Sequence, residues 1–342
     1  MAKKDLMRKG ILVMSFIAAL FVSSCGDDDG PDFEVQPPRL LAEVSPENDA
    51  EIQEFLQTHF YNYDEFLSPP ADFDFRIVID TIAGDNSDRI PLSSQVGSVD
   101  INVSSFELGL EVEENDISHR LYYLSVRPTN SEVEMLKQSG TCPECFPTVA
   151  DSVFVRYEGK LLDGSVFDSA LNNPIWFDLA QLQDLTQGFR GFTEGMPFIQ
   201  RGEEIIENGD GTVTVENFGI GMIIFPSGLG SFNRINAGIP QYSPLIFTVD
   251  LFTLNDTDHD GDGIPSIEED LDGDGFLYND NTDSEGEFVP FANFQDADDD
   301  GDGVSTRDEI RDSNGNIIRP FPDSNNDGIP DYLDPEIARM PE

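Results

Sequence analysis

The sequence predicts an α+β protein: a mostly antiparallel sheet with one short helix, a small mixed segment before it and an acidic, loop-built tail after it. Three observations predict this. Apolar residues Ile52, Phe55, Leu56 and Phe60 recur at helical spacing. Between Phe73 and Leu254 the runs are alternating or continuous β-type segments with hairpin-like turn residues, leaving room for one short helix near Gly191 to Ile199. Beyond Leu254 that patterning gives way to Asp-rich loops of repeated spacing.

The first residues read as an export signal. Lys3, Lys4, Arg8 and Lys9 precede an apolar run from Ile11 to Val22, which is too short to span a bilayer comfortably. It ends in Val22-Ser23-Ser24-Cys25, which resembles a lipobox. The expected mature chain therefore starts at an acylated Cys25, residues 1–24 being the signal; an ordinary secretory signal is the alternative. Residues 25–45 read as an acidic, Pro-rich tether, either an export cue or a solvated linker.

Residues 46–118 read as a small α/β region. Asn48 and Glu51 have capping-box spacing, so a helix is expected from about Asp49 to Phe60. Strands are then expected at Phe73 to Ile82 and Val99 to Val103. Residues 119–254 carry the main sheet, with strands at His119 to Val126, from Asp151, at Gly219 to Phe225 and at Leu245 to Leu254. An Asn208-Gly209-Asp210-Gly211 turn sits between two further arms.

Within 151–254, Val155-Arg156-Tyr157-Glu158-Gly159 leads to Val166-Phe167-Asp168-Ser169. Then follow Pro174 to Phe177, Gly191-Phe192-Thr193-Glu194-Gly195-Met196, Arg201-Gly202-Glu203, Phe225-Pro226-Ser227, Gly238-Ile239-Pro240 and Ser243 to Leu251. In this order the segments resemble the FK506-binding (FKBP-type) peptidyl-prolyl isomerases. The resemblance implies an FKBP-like fold, a twisted antiparallel sheet wrapped on a short helix, with proline-containing polypeptides as partners and no cofactor for isomerisation. It also implies a pocket with Phe192 as floor, Tyr157, Phe167, Ile239 and Phe247 as walls, and Phe177 beside them. Phe189 would offer its backbone N–H, and Asp168 would orient the rim. The competing reading is that these rings are simply core. The sequence departs from the family where its floor tryptophan is Phe192, an aromatic wall is Ile175, and a rim tyrosine is Ser231.

The formal net charge is −48, which repels nucleic acid and anionic membrane surfaces, so neither is expected as a partner and cations are the natural ligands. Residues 255–342 hold 27 Asp and Glu against four Arg. Asp258, Asp260, Asp262, Ile264 and Glu269 fall at positions 1, 3, 5, 7 and 12 of a loop with glycine at 6, and Asp298, Asp300, Asp302, Val304 and Glu309 repeat the pattern. That spacing wraps one Ca²⁺ in carboxylates and a main-chain carbonyl. Weaker copies start at Asp270 and Asp323, the latter resembling thrombospondin type 3 repeats more than helix-flanked EF-hands. A structural-calcium tail is expected; a disordered acidic tail is the alternative.

Cys142 and Cys145 have redox-pair spacing in a loop, where a local disulfide is expected before a metal or redox role. His59, His119 and His259 are isolated in sequence. The whole is similar to Bacteroidota lipoproteins that include gliding-associated isomerases. It reads as an isomerase for exported proteins, held by lipid to the outer membrane and facing periplasm or surface. The rival is a calcium-stiffened surface peptide-binding protein with little turnover.

Overall fold

The computed structural model describes residues 38–209, 213–236, 238–283 and 291–338. Cys25, the signal and most of the tether lie outside them, as do Asp210 and Gly211 of the expected turn. The elements are α1 (Leu41–Thr58), β1 (His59–Tyr61), α2 (Tyr63–Leu67), β2 (Ile79–Thr81), β3 (Gly97–Val103), β4 (Ile117–Arg127), α3 (Asn130–Ser139), β5 (Ser152–Leu161), β6 (Val166–Ser169) and β7 (Ile175–Asp178). They continue with α4 (Arg190–Gly195), β8 (Glu204–Glu207), β9 (Val213–Glu216), β10 (Gly219–Phe225), β11 (Leu245–Asn255) and α5 (Thr306–Glu309).

A seven-stranded antiparallel sheet runs β3-β4-β10-β11-β5-β6, with β7 also paired to β5. Its central strand β10 is an unbroken apolar run, and every residue of it is buried. Both faces are covered, which is why no polar alternation is visible there. Ile223 and Phe225 join the core beneath α4, while Ile220, Met222 and Ile224 join a second core with Ile52, Phe55 and Leu56 of α1. α4 lies close on the sheet: a Cβ at Gly191 would stand 2.4 Å from the Phe225 ring.

The N-terminal region departs from expectation in ways that have physical causes. The helix starts eight residues before Asp49, at Leu41, so the tether ends by residue 40. Its N-terminus has no local side-chain cap; the Glu114 carboxylate instead accepts from Leu41 N–H (2.7 Å) and Ala42 N–H (3.0 Å). Asn48 sits inside the helix, donating to Tyr242 O and accepting from Ser227 N–H and Oγ–H. Phe60 belongs to β1. Of the strand expected at Phe73 to Ile82 only β2 forms, and a left-handed backbone at Phe75 (φ 59°) interrupts the extended run before it. β3 pairs with β4 along its full length, so the sheet runs without a break across residue 118.

The tail packs onto the sheet domain. Leu277, Ala292 and Phe294 form a small core with Ala150 and Ala180. Among the described residues its regular structure is limited to short 3₁₀ turns and the four-residue α5, as the loop spacing predicts. Cys142 and Cys145 are disulfide-bonded, with Cα atoms 5.3 Å apart.

Arg190 joins three regions. It is 6 % exposed. Its guanidinium pairs with Glu107 from the N-terminal region and Glu194 (3.0 Å) from its own helix. It also donates to Asn102 O (3.2 Å) and to Asp274 O (3.1 Å) in the tail. Burial raises the Glu107 carboxyl and pushes that of Glu194 up to about 7, against the downward pull of Arg190. Arg190→Ala would strand both carboxylates. We predict a loss of about 3–5 kcal/mol, read from urea denaturation at fixed calcium; a loss under about 1 kcal/mol would contradict this network.

Candidate functional site

Register places the aromatic residues on one face. Gly159 lies opposite Phe247, Tyr157 opposite Val249, and Ile223 opposite Phe247, so Tyr157, Phe247 and Ile223 point toward α4. On the neighbouring strand Phe177 pairs with Val153 and joins the same face. A register shift between β5 and β6 falls at Gly159 and Lys160, and such a bulge re-aims side chains. The Phe167 ring consequently lies over Gly159, where an added Cβ would be 2.6 Å from it.

These rings form one cluster. Phe247 is its hub, with ring centroids 5.2 Å from Phe192, 5.5 Å from Phe167, and 6.1 Å from both Tyr157 and Phe189. Phe192 meets Phe177 edge-on at 5.5 Å. Tyr157, Phe192, Ile239 and Phe247 are buried, while Phe167, Phe177 and Phe189 are partly exposed. Apolar rings that are buried on one side of a cluster and half-exposed on the other are of the kind that could receive a small apolar ring from solvent.

The polar groups sit at the rim. Tyr157 Oη donates to Asp168 Oδ2 (2.6 Å), and Ser169 N–H donates to Asp168 Oδ1 (2.8 Å). Burial, followed by the Asp168 bond, raises the Tyr157 hydroxyl, keeping it a donor. Phe189 caps α4, its carbonyl accepting from Phe192 N–H. Its own N–H has no acceptor among the described residues. All eight expected residues therefore converge on one cluster. Ser231 is buried, and its hydroxyl has no partner among the described residues.

The tail loops share one wrapping. In the first, Gly263 N–H donates to Asp258, Asp262 N–H to Asp260, and Ile264 N–H to Asp262. The loop at Asp298 repeats it through Gly303, Asp302 and Val304. The weaker copies at Asp270 and Asp323 do the same through Gly275 and Gly328. Asp258, Asp260 and Asp262 bring carboxylate oxygens within 4.8 Å of one another, as do Asp298, Asp300 and Asp302. Glu269 and Glu309 are each 1 % exposed, and neither carboxylate has a hydrogen-bond partner among the described residues. Burial, then the surrounding carboxylates, pushes Glu269 up to about 10 and Glu309 to about 9. Hard oxygen donors held so fit a divalent cation such as Ca²⁺.

Two features were not read from sequence. His259 Nε2 faces the Asp178 carboxylate (3.0 Å) and its Nδ1 faces Ser266 Oγ (2.8 Å), tying the first loop to the residue after Phe177. Asp299 is buried beside Glu269 and Asp260. The available sequence signal was an acidic residue between Asp298 and Asp300, where the loop spacing requires none. His119 is buried against Gly228, and burial lowers it to about 4.

Tyr157→Phe removes a hydrogen bond to a carboxylate while keeping the ring. The expected cost is about 1.5–3 kcal/mol, measurable by chemical denaturation with unchanged far-UV circular dichroism.

Comparison with known proteins gives two separate matches. Residues 144–206 match the family described as FKBP-type peptidyl-prolyl cis-trans isomerase, and residues 259–322 match the family described as BamM C-terminal. The first includes six of the eight clustered residues, all but Ile239 and Phe247. The chain is 33% identical over 102 residues to a probable FKBP-type peptidyl-prolyl cis-trans isomerase, FkpA, of Neisseria meningitidis, spanning 29% of this chain and 35% of that protein's length. It is 32% identical over 112 residues to FK506-binding protein 1A of Aspergillus fumigatus, covering 32% of this chain and 83% of that one. Among solved structures, FkpA from Escherichia coli aligns over 63% of this chain and 62% of its own, with 19% identity and a TM-score of 0.30.

Proposed function

The chain belongs to the FKBP-type peptidyl-prolyl cis-trans isomerase family, and on that premise we propose that its aromatic cluster grips proline in exported or envelope polypeptides and speeds rotation about the preceding peptide bond. The observation that carries this reading is the convergence of Tyr157, Phe167, Phe189 and Phe192, distant in sequence, on the Phe247 ring, with Phe177 against Phe192, Asp168 bonded to Tyr157 and Ile239 in the same buried core.

The chemistry needs no cofactor, because no bond breaks. Amide resonance sets a barrier of about 18–20 kcal/mol, and only the X-Pro bond populates cis appreciably. Taking the proline ring onto Phe192 and Phe247 removes the amide from water, where its resonance form is best solvated. The Phe189 N–H would hold the substrate carbonyl, and the Tyr157–Asp168 pair would fix the rim on which the twisted amide rests.

The envelope setting rests on the export signal and the lipobox-like Cys25, which would anchor the chain by lipid to the outer membrane. The tail would carry structural Ca²⁺ at Asp258, Asp260, Asp262, Ile264 and Glu269, and at Asp298, Asp300, Asp302, Val304 and Glu309. The buried, unpartnered carboxylate oxygens support that reading. A calcium-stiffened peptide-binding protein with little turnover is the second reading, favoured by Ser231 at the expected tyrosine position, whose hydroxyl is buried.

Exchange spectroscopy on an X-Pro peptide separates them. The wild-type chain should accelerate cis/trans exchange, and Asp168→Ala should slow catalysis by roughly tenfold, since about 1.4 kcal/mol is a factor of ten. Relative to family members with a rim tyrosine, the missing hydrogen bond of about 0.5–1.5 kcal/mol predicts roughly two- to tenfold weaker turnover. Peptide binding without acceleration would support the second reading; neither binding nor acceleration would refute both.

The tail has its own test. Calcium at about 10⁻⁴–10⁻³ M should protect residues 255–338 from protease relative to chelator. Identical digestion in both would refute the calcium assignment.

A further inference from the structure

We infer, building on the calcium reading of the tail, that Asp299 is a ligand lent by one loop to the ion of another. With Asp260 and Glu269 it completes a divalent-cation centre that staples residues 258–269 to residues 298–309. This goes beyond the loop spacing, which assigns Asp299 no role.

Asp299 occupies position 2 of its loop. Its neighbours Asp298, Asp300 and Asp302 converge on their own cluster, whereas a carboxylate oxygen of Asp299 lies within 4.8 Å of oxygens from Asp260 and Glu269. Asp299 and Glu269 are each 1 % exposed. Both carboxylates, and Asp260 Oδ2, are buried with no hydrogen-bond partner among the described residues. No lysine, arginine or histidine forms an ion pair with any of the three among the described residues. Burying ionised carboxylates together without a counter-charge is strongly unfavourable; a hard cation supplies the charge and takes the free oxygens.

The backbone explains why the side chain turns outward. Asp299 N–H donates to Thr306 Oγ1 (3.1 Å), eight residues after the start of its loop. In the first loop His259, also at position 2, donates its N–H to Ser266 Oγ at the equivalent place (3.1 Å). The same bond recurs from Ser324 N–H to Asp331 Oδ1 (2.6 Å). Position 2 is thus pinned by its amide with its side chain directed away from its own ion. His259 uses that direction to reach Asp178 of β7, and Asp299 uses it to reach the first loop.

The test uses the full chain with Ca²⁺ as probe. Wild type, Asp299→Asn and Asp308→Asn are titrated by calorimetry and melted in chelator and in millimolar calcium. Asp308 is an exposed acid in the same loop, so it controls for charge alone. Asp299→Asn should weaken one binding event at least tenfold, while Asp308→Asn stays within about twofold of wild type. Relieved of repulsion with Glu269, the Asp299→Asn chain should melt at or above the wild-type temperature in chelator yet below it in calcium. That reversal also shows that the variant folds. Equal calcium binding by both variants overturns the cross-loop ligand and leaves the calcium tail standing. A wild-type chain that takes up no calcium overturns the tail assignment and this centre with it.

Discussion

A single buried guanidinium constrains much of this molecule. Arg190 begins the helix that carries Phe192, follows Phe189 directly, and holds Glu107, Glu194 and the carbonyls of Asn102 and Asp274. An arginine taken this far from water is tolerable only when its charge and its donors are met. Meeting them requires the N-terminal region, α4 and the tail to be in place together. Phe192 therefore inherits its position from all three. Gln183 adds a second tie to the tail, donating to Gly275 O and accepting from Leu277 N–H.

The aromatic site follows from sheet geometry. Strand alternation puts Tyr157, Gly159 and Phe247 on one face, and the absence of a Cβ at Gly159 lets Phe167 lie across it. The second face of the sheet is sealed by α1, so the strands under the site cannot flex toward solvent without exposing that core. His259 reaches Asp178 beside Phe177, and Arg190, in the helix of Phe192, reaches Asp274. The rings that would contact proline thus share their backbone with the groups that bind the tail.

The tail itself is held by a different kind of force. Its apolar core is small, Leu277, Ala292 and Phe294 against Ala150 and Ala180, together with a second cluster of Ile264, Ile310 and Tyr332. Against this stand closely spaced carboxylates that repel one another. Four loops share the same turn, and the two strongest bury Asp262, Glu269, Asp299, Asp300 and Glu309. Cations taken up as part of the fold would turn that repulsion into attraction.

Features that are local along the chain could be read before any fold was known. The turns of the loops at Asp258 and Asp298 were legible because their carboxylates and glycines fall within twelve residues. β10 and β11 were legible because a sheet interior demands continuous apolar runs, and the clustering of the aromatic residues because the family resemblance carried their order. Roles set by partners far away in sequence emerged with the tertiary structure alone. α1 starts at Leu41 because Glu114 caps it, Asn48 serves Ser227 and Tyr242 inside that helix, and Arg190 reads as an ordinary polar residue until Glu107 and Asp274 arrive. Asp299 reads as one more acid until the fold buries it against Glu269. Removal from water gives these groups their meaning, and it exists only once distant segments have closed around them.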